Sequence, residues 1–202
     1  AHSLLAEAHE RGHRVLAYIS LVELAKGSPA EVVAKEHKVP FSGTNPDWNS
    51  RLLNILDPAW APFIIDCAAK AVGMGFDGFF LDTADSLERV AGPDLGKKAA
   101  CQTAIISVVK ALDQRWPKAQ IVINRGFDLL PRLKFHLDGL LVESVYQGFD
   151  PATRRYTATD EAGVSWIESR IRAAQALKIP VYATDYVNPV QSDLAQATAK
   201  RL

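Results

Sequence analysis

Short apolar runs alternate with amphipathic helical stretches along the whole chain, and an acid or amide closes nearly every run. Val15–Leu21 (VLAYISL), Phe76–Leu81 (FDGFFL), Ala119–Asn124 (AQIVIN), Leu137–Val142 (LDGLLV) and Val181–Thr184 read as strands, the first nearly continuous in apolar residues, as for a strand buried on both faces. Leu52–Leu56 is a further candidate strand. Helices are expected over Leu4–Arg11, ending at Gly12, from Asp57-Pro58 to Gly73–Gly75, and over Lys97–Trp116, Glu161–Lys178 and Gln191–Leu202. Strand–helix alternation implies right-handed crossovers and a parallel sheet. No linker or low-complexity tract divides the chain, so residues 1–202 read as one domain.

Two parallel architectures are compatible with that order. An open dinucleotide-binding sheet requires a glycine-rich phosphate turn after its first strand, and none is present. Instead Glu23, Asp82, Asn124, Glu143 and Asp185 follow strand candidates, and polar residues converging from strand ends form the mouth of a (β/α)8 barrel. The expected fold class is therefore an α/β, TIM-type (β/α)8 barrel. Six strands can be placed where a barrel has eight, so its first and last strands are expected to be missing from this chain.

Composition excludes several functions. Lys+Arg and Asp+Glu are equal at 23 each, so no bulk charge draws the chain to nucleic acid. No apolar run approaches the roughly 20 residues that span a bilayer. Cys67 and Cys101 lack any metal-ligand or redox spacing and read as free buried thiols, so neither a metal nor a cofactor is expected. The five histidines fall in surface contexts.

What remains is carboxylate chemistry. Asp82 and Glu143 both end apolar strands, where a carboxylate is costly to desolvate without a purpose. Two facing carboxylates are what glycoside hydrolysis uses, one protonated to release the leaving oxygen, the other ionised to attack or to activate water. Asp85 follows in the loop after Asp82, where it serves either the site or a helix start. Asn124 and Arg125 are placed to orient a carboxylate or a sugar hydroxyl. Loop aromatics Trp48, Tyr146, Phe149 and Tyr186 are candidate platforms for a pyranose face. Trp60, Trp116 and Trp166 read as packing residues, Asp57 as a helix cap, and Asp77 and Asp138 as turn acids at the opposite end.

The blocks AYISLVE (17–23), NPDWNSR (45–51), GFDGFFLDTADS (75–86), INRGFDLLP (123–131), LVESVYQGFD (141–150) and PVYATDYV (180–187) resemble the endo-α-1,4-polygalactosaminidase glycoside hydrolases. The resemblance implies a barrel that cleaves α-1,4-linked N-acetylgalactosamine or galactosamine polymers of biofilm matrix, exported to the periplasm or cell exterior. It places the catalytic glutamate on Glu143, the strand-end aspartate on Asp82 and a further acid on Glu23. Val22 stands where such proteins usually have glycine, and Asn54 where they usually have aspartate. From the residues, Glu23, Asp82, Asp85, Glu143 and Asp185 would gather into an acidic cleft suited to partly deacetylated, cationic polymers. The expected partner is a galactosamine-containing polysaccharide, handled by a monomer. Two alternatives are a non-catalytic polysaccharide-binding barrel, favoured by Val22 and Asn54, and a barrel hydrolase acting on small glycosides.

Overall fold

The computed structural model describes residues 2–202. Helix α1 (His2–Glu10) closes on Gly12, whose φ of +75° is a left-handed stop that glycine adopts without a Cβ penalty. Strand β1 (Leu16–Ser20) leads to β2 (Glu23–Ala25), α2 (Pro29–Glu36), β3 (Phe41–Asn45), β4 (Ser50–Leu53) and α3 (Trp60–Gly73). Next come β5 (Gly78–Asp82), α4 (Leu87–Ala91), α5 (Leu95–Arg115), β6 (Gln120–Asn124), α6 (Leu130–Leu133) and β7 (Gly139–Glu143). The hairpin β8 (Gln147–Asp150) and β9 (Arg155–Ala158), α7 (Glu161–Ala176), β10 (Val181–Thr184) and α8 (Ser192–Ala199) complete the order.

Five strands form one parallel sheet in the spatial order β1-β5-β6-β7-β10. Each new strand joins the same edge, and the order never reverses, which is the winding of a (β/α) barrel rather than of a doubly wound sheet. Among the described residues the sheet is open: β1 pairs only with β5, and β10 only with β7. The sixth expected strand proves to belong elsewhere. Residues of Leu52–Leu56 join β4, the centre of a separate antiparallel sheet with β2 and β3. The helix after Asp57 also begins later, at Trp60; Asp57 instead accepts the Ala59 N–H at 2.9 Å in the turn before it.

Alternation along the strands divides two faces. Ala17, Ile19, Phe79, Leu81, Ile121, Ile123, Leu140 and Val142 are buried beneath the helices. The opposite face carries Tyr18, Phe80, Val122, Leu141 and Tyr182, and is covered less completely; Tyr18 is 63% and Tyr182 54% exposed. Thus β1 is not buried on both faces. On the helix side the core continues into Trp60, Phe63 and Ile64 of α3 and Ile105, Val109 and Leu112 of α5. Trp60 also donates its indole N–H to the Leu21 carbonyl at 2.8 Å, tying α3 to the end of β1. Ser28, Asp94 and Asp160 cap α2, α5 and α7 by accepting a backbone N–H three residues on. Both cysteines are free thiols, Cys101 buried and Cys67 half-buried.

Candidate active site

Asp82, Asn124 and Glu143 are the last residues of the adjacent strands β5, β6 and β7. All three lie on the less covered face, because they continue the alternation of Phe80, Val122 and Leu141. The residue after each, Thr83, Arg125 or Ser144, has a positive φ of 62°, 55° or 58°. That left-handed step is disfavoured for side-chain-bearing residues, most of all for a β-branched threonine. Here it turns the chain sharply off the sheet at the same level in three neighbouring strands, leaving the three strand-end side chains at one mouth.

Thr83 is held in place by its hydroxyl. Its Oγ1 accepts the Val22 and Glu23 N–H groups at 2.9 and 3.2 Å and lies 2.9 Å from Ser20 Oγ. These bonds stitch the end of β1 to the end of β5, alongside the bond from Leu21 N–H to the Asp82 carbonyl at 2.9 Å.

The Asp82 carboxylate accepts from Tyr18 Oη on Oδ2 at 2.7 Å and from Asn124 Nδ2 on Oδ1 at 2.8 Å. The Glu143 carboxylate accepts from Tyr186 Oη on Oε1 at 2.5 Å. Each phenol is raised above the ordinary tyrosine range, first by desolvation and then by its own carboxylate partner; both also feel the second carboxylate. Asp82 and Glu143 therefore share one electrostatic neighbourhood. Arg125 Nε lies 3.3 Å from Asp85 at the rim. Desolvation lifts the Asp85 carboxyl above the ordinary range; Arg125 opposes that rise, and the charges of Asp82 and Glu23 add to it.

The other expected site residues occupy different settings. Glu23 is buried, and neutral donors hold its carboxylate: Asn45 Nδ2 at 3.1 Å to both oxygens, and Ser50 and Ser86 hydroxyls at 2.5 Å. It lies under the mouth and joins β2, β4 and the turn after β5. Asp185 Oδ2 accepts the Tyr146 and Gln147 N–H groups at 3.0 and 3.1 Å, which fastens the loop after β7 to the end of β10. The Tyr146 side chain turns away from the carboxylates: Arg201 lies 3.8 Å over its ring, and its hydroxyl is 3.4 Å from Glu168. Trp48 is 60% exposed in the turn between β3 and β4. Phe149 packs edge-on against Tyr156 in the β8–β9 hairpin, with centroids 5.2 Å apart. Trp166 packs edge-on against Phe127, with centroids 5.5 Å apart, but is also part-exposed, with the guanidinium groups of Arg125 and Arg170 5.9 and 5.1 Å from its ring.

Two residues of the mouth, Tyr18 and Thr83, are not marked by the sequence reading. For Tyr18 the signal was present, since strand alternation puts it on the same face as Ser20 and, by register, as Phe80 and Asp82. Thr83 carries no such signal, because its role depends on a left-handed backbone. Among the described residues, no group of three or more His, Cys, Asp or Glu is placed to hold a metal ion.

No curated protein matches the chain by sequence. Among solved structures, it is similar to the glycoside hydrolase domain of PelA from Pseudomonas aeruginosa, at 27% identity and a TM-score of 0.88, covering 100% of this chain and 78% of that one. A glutamate-to-alanine variant of that domain superposes with a TM-score of 0.86 at 27% identity, over 99% of this chain and 78% of the other. Ega3 from Aspergillus fumigatus, solved in complex with galactosamine, shares the fold at 18% identity and a TM-score of 0.68, over 95% of this chain and 72% of that one. The model of glycoside-hydrolase family GH114 matches residues 2–201. With a barrel-type sheet that gathers two carboxylates at its strand ends, the chain belongs to glycoside-hydrolase family GH114 and is a glycoside hydrolase.

Proposed function

We propose that this hydrolase is endo-acting and cleaves α-1,4-linked galactosamine or N-acetylgalactosamine polysaccharide, with Glu143 as general acid/base and Asp82 as the nucleophile or the base that activates water. The observation that carries the reading is the pair itself. Two carboxylates end strands on either side of β6, each oriented by a phenol, on a face that solvent reaches. In the reaction Glu143 gives its proton to the departing glycosidic oxygen as the bond to the anomeric carbon breaks. Asp82 supplies the electron pair, directly or through water, and water finally adds across the bond.

Asp85, Asn124, Arg125, Tyr186 and Trp48 would line the bound sugar chain. Glu23, Tyr146 and Asp185 would act from behind, by holding the loops that carry those contacts. The likeness to the PelA hydrolase domain supports hydrolysis of a glycoside, and the galactosamine in complex with Ega3 supports the substrate class. The clustered acids Asp82, Asp85 and Glu143, with Arg125 as counter-charge to Asp85, favour a cationic, partly deacetylated polymer. We read the protein as a monomer that works in the periplasm or outside the cell, as the family likeness implies. No described helix is long and apolar enough to cross a membrane.

Val22 and Asn54, which would favour a binding-only barrel, both serve the framework. The Val22 side chain is fully buried, and Asn54 Oδ1 accepts the Leu56 N–H at 3.3 Å. The test is incubation with purified α-1,4-galactosamine polymers of graded acetylation, followed by sizing of the products. Oligosaccharides of several lengths appearing early, faster as acetylation falls, are the expected result. Monosaccharide release from chain ends, or binding without cleavage, would overturn the reading.

A further inference from the structure

Trp166 stands beside the mouth with much of its ring in solvent. It lies in the second turn of α7 and is 43% exposed, although Phe127 packs edge-on against it. Ile167 and Ala174 are the residues that α7 buries, so the indole is not what seats the helix. Arg125, which follows Asn124 at the end of β6, joins the ring to the mouth. Its Nε lies 3.3 Å from Asp85, and its guanidinium is 5.9 Å from the Trp166 ring. Arg170, one helical turn beyond Trp166, comes to 5.1 Å from the same ring.

The exposed ring continues into a groove. Phe127 and Arg170, both against Trp166, also line a cavity of about 380 Å³ between α5, α6 and α7, with Asp128, Pro131 and Leu177. Its size is that of a small-ligand cleft. The charges around ring and groove are Arg125, Arg170 and Lys98 against Asp85 and Asp128, with Glu88 paired to Lys98 at 2.5 Å. Arg170 reaches Asp128 at only 3.6 Å, and Arg125 Nε is buried without a hydrogen-bond partner. A guanidinium carries several N–H donors in a planar fork, so both arginines keep donors for an incoming oxygen.

Mouth and ring therefore differ in charge. Asp82, Asp85 and Glu143 gather at the strand ends, whereas the charged groups over the Trp166 ring are two guanidiniums. We propose that Trp166, flanked by Arg125 and Arg170, is a further sugar-binding platform, on which a neutral, N-acetylated residue of the polysaccharide stacks while the groove between α6 and α7 takes the residue beyond it. The identity of the polymer rests on the hydrolase reading above; the platform and its charge belong to the fold. The ring offers an apolar surface to the C–H face of a pyranose. An ammonium there would stand beside two guanidiniums and be repelled. An acetamido group instead offers its carbonyl oxygen to their N–H donors and its methyl to the indole.

The test is calorimetric titration with α-1,4-linked N-acetylgalactosamine oligosaccharides and their deacetylated counterparts. Glu143→Gln, which prevents cleavage, serves as the parent, alone and combined with Trp166→Ala, Trp166→Phe or Arg170→Gln, each confirmed folded by circular dichroism. Adding Trp166→Ala should weaken binding of the acetylated oligosaccharide about tenfold, and Trp166→Phe should recover most of that loss. The deacetylated oligosaccharide should change little. Arg170→Gln, which leaves the ring in place, should bring the two affinities closer together. Unchanged affinity for the acetylated oligosaccharide in Trp166→Ala, an equal loss for both, or a difference that Arg170→Gln leaves as it was, would overturn the inference. Turnover separates it from the hydrolase reading. With Glu143 intact, Trp166→Ala should raise KM more than it lowers kcat, by a factor that grows with the acetylation of the polymer. Cleavage by wild type and Trp166→Ala at the same rate and KM for every acetylation removes the platform alone. Binding that depends on Trp166 in a wild type that cuts nothing removes the hydrolase reading and leaves the platform.

Discussion

At the scale of single residues, the mouth is held by side chains that differ sharply in how they answer solvent. Glu23 is buried with three side-chain donors aimed at it, from Asn45, Ser50 and Ser86. Glu23→Ala strands all three and should cost about 2–4 kcal/mol, read as a lowered midpoint in chemical denaturation. Asp85 behaves oppositely. Its carboxyl is raised above its ordinary value of 3.8, chiefly by desolvation, so the folded chain holds that proton more tightly than the unfolded one. Asp85 thus favours folding below the unfolded value and loses that contribution as pH rises through the folded one. Asp85→Asn should remove this component, so wild-type stability minus variant stability should fall as pH rises from 3 to 6 in denaturation series, roughly across that window. Asp82, Asn124 and Glu143 were legible in the sequence because a polar group closing an apolar run adds nothing to the core beside it and so points to the site. Alternation put Tyr18 on their face but gave no sign of its diagonal reach to Asp82, and Thr83 carried no signal, since its left-handed backbone is set by neighbours far along the chain.

Among elements, β5 carries Asp82 between β1 and β6, and Gly78 at its start shows how tightly it is packed against β6. A Cβ at Gly78 would stand 2.5 Å from the Gln120 nitrogen and closer still to the Gln120 carbonyl oxygen, both backbone atoms of β6. Gly78→Ala must push the two strands apart at their amino ends, four residues before Asp82 and Asn124. It should destabilise the chain by about 3 kcal/mol or more and weaken turnover, as checked by thermal unfolding and activity on the same preparation. Trp60→Phe tests a different joint. It removes the donor to the Leu21 carbonyl while keeping most of the buried ring, and should cost about 1–2 kcal/mol in unfolding free energy. The five parallel strands were readable as apolar runs, with β1 and β10 differing only in being edges. Strands β2, β3, β8 and β9 escaped detection for a physical reason. They are three to five residues long; β3 is mostly exposed and β9 wholly so, so no apolar alternation marks them. Leu52–Leu56 misled because its buried residues Leu52, Leu53 and Ile55 lie in the antiparallel sheet and the turn after it rather than in the parallel sheet.

For the whole molecule, a balanced charge and an acid-lined mouth describe one design: the surface is neutral in sum while the strand ends concentrate carboxylates. The unreversed strand order places every strand's carboxyl end at the same side, which is why residues as distant in sequence as Tyr18, Asp82, Asn124, Glu143 and Tyr186 meet. Barrel winding was legible from the alternation of elements and the missing phosphate turn. The open state of the sheet, and with it the exposed faces of Tyr18 and Tyr182, was legible only as a shortfall in strand count. Central to the proposed activity is that Asp82 and Glu143 work as one hydrolytic unit. The direct measurement is turnover of an α-1,4-linked galactosamine polymer by wild type, Asp82→Asn, Glu143→Gln and the double variant, each confirmed folded by circular dichroism. Each single variant should lose about 1,000-fold or more, and the double variant should be no slower than the worse single, because groups that act as a unit are lost together. A single variant that keeps most of the wild-type rate, or losses that multiply in the double variant, would contradict it.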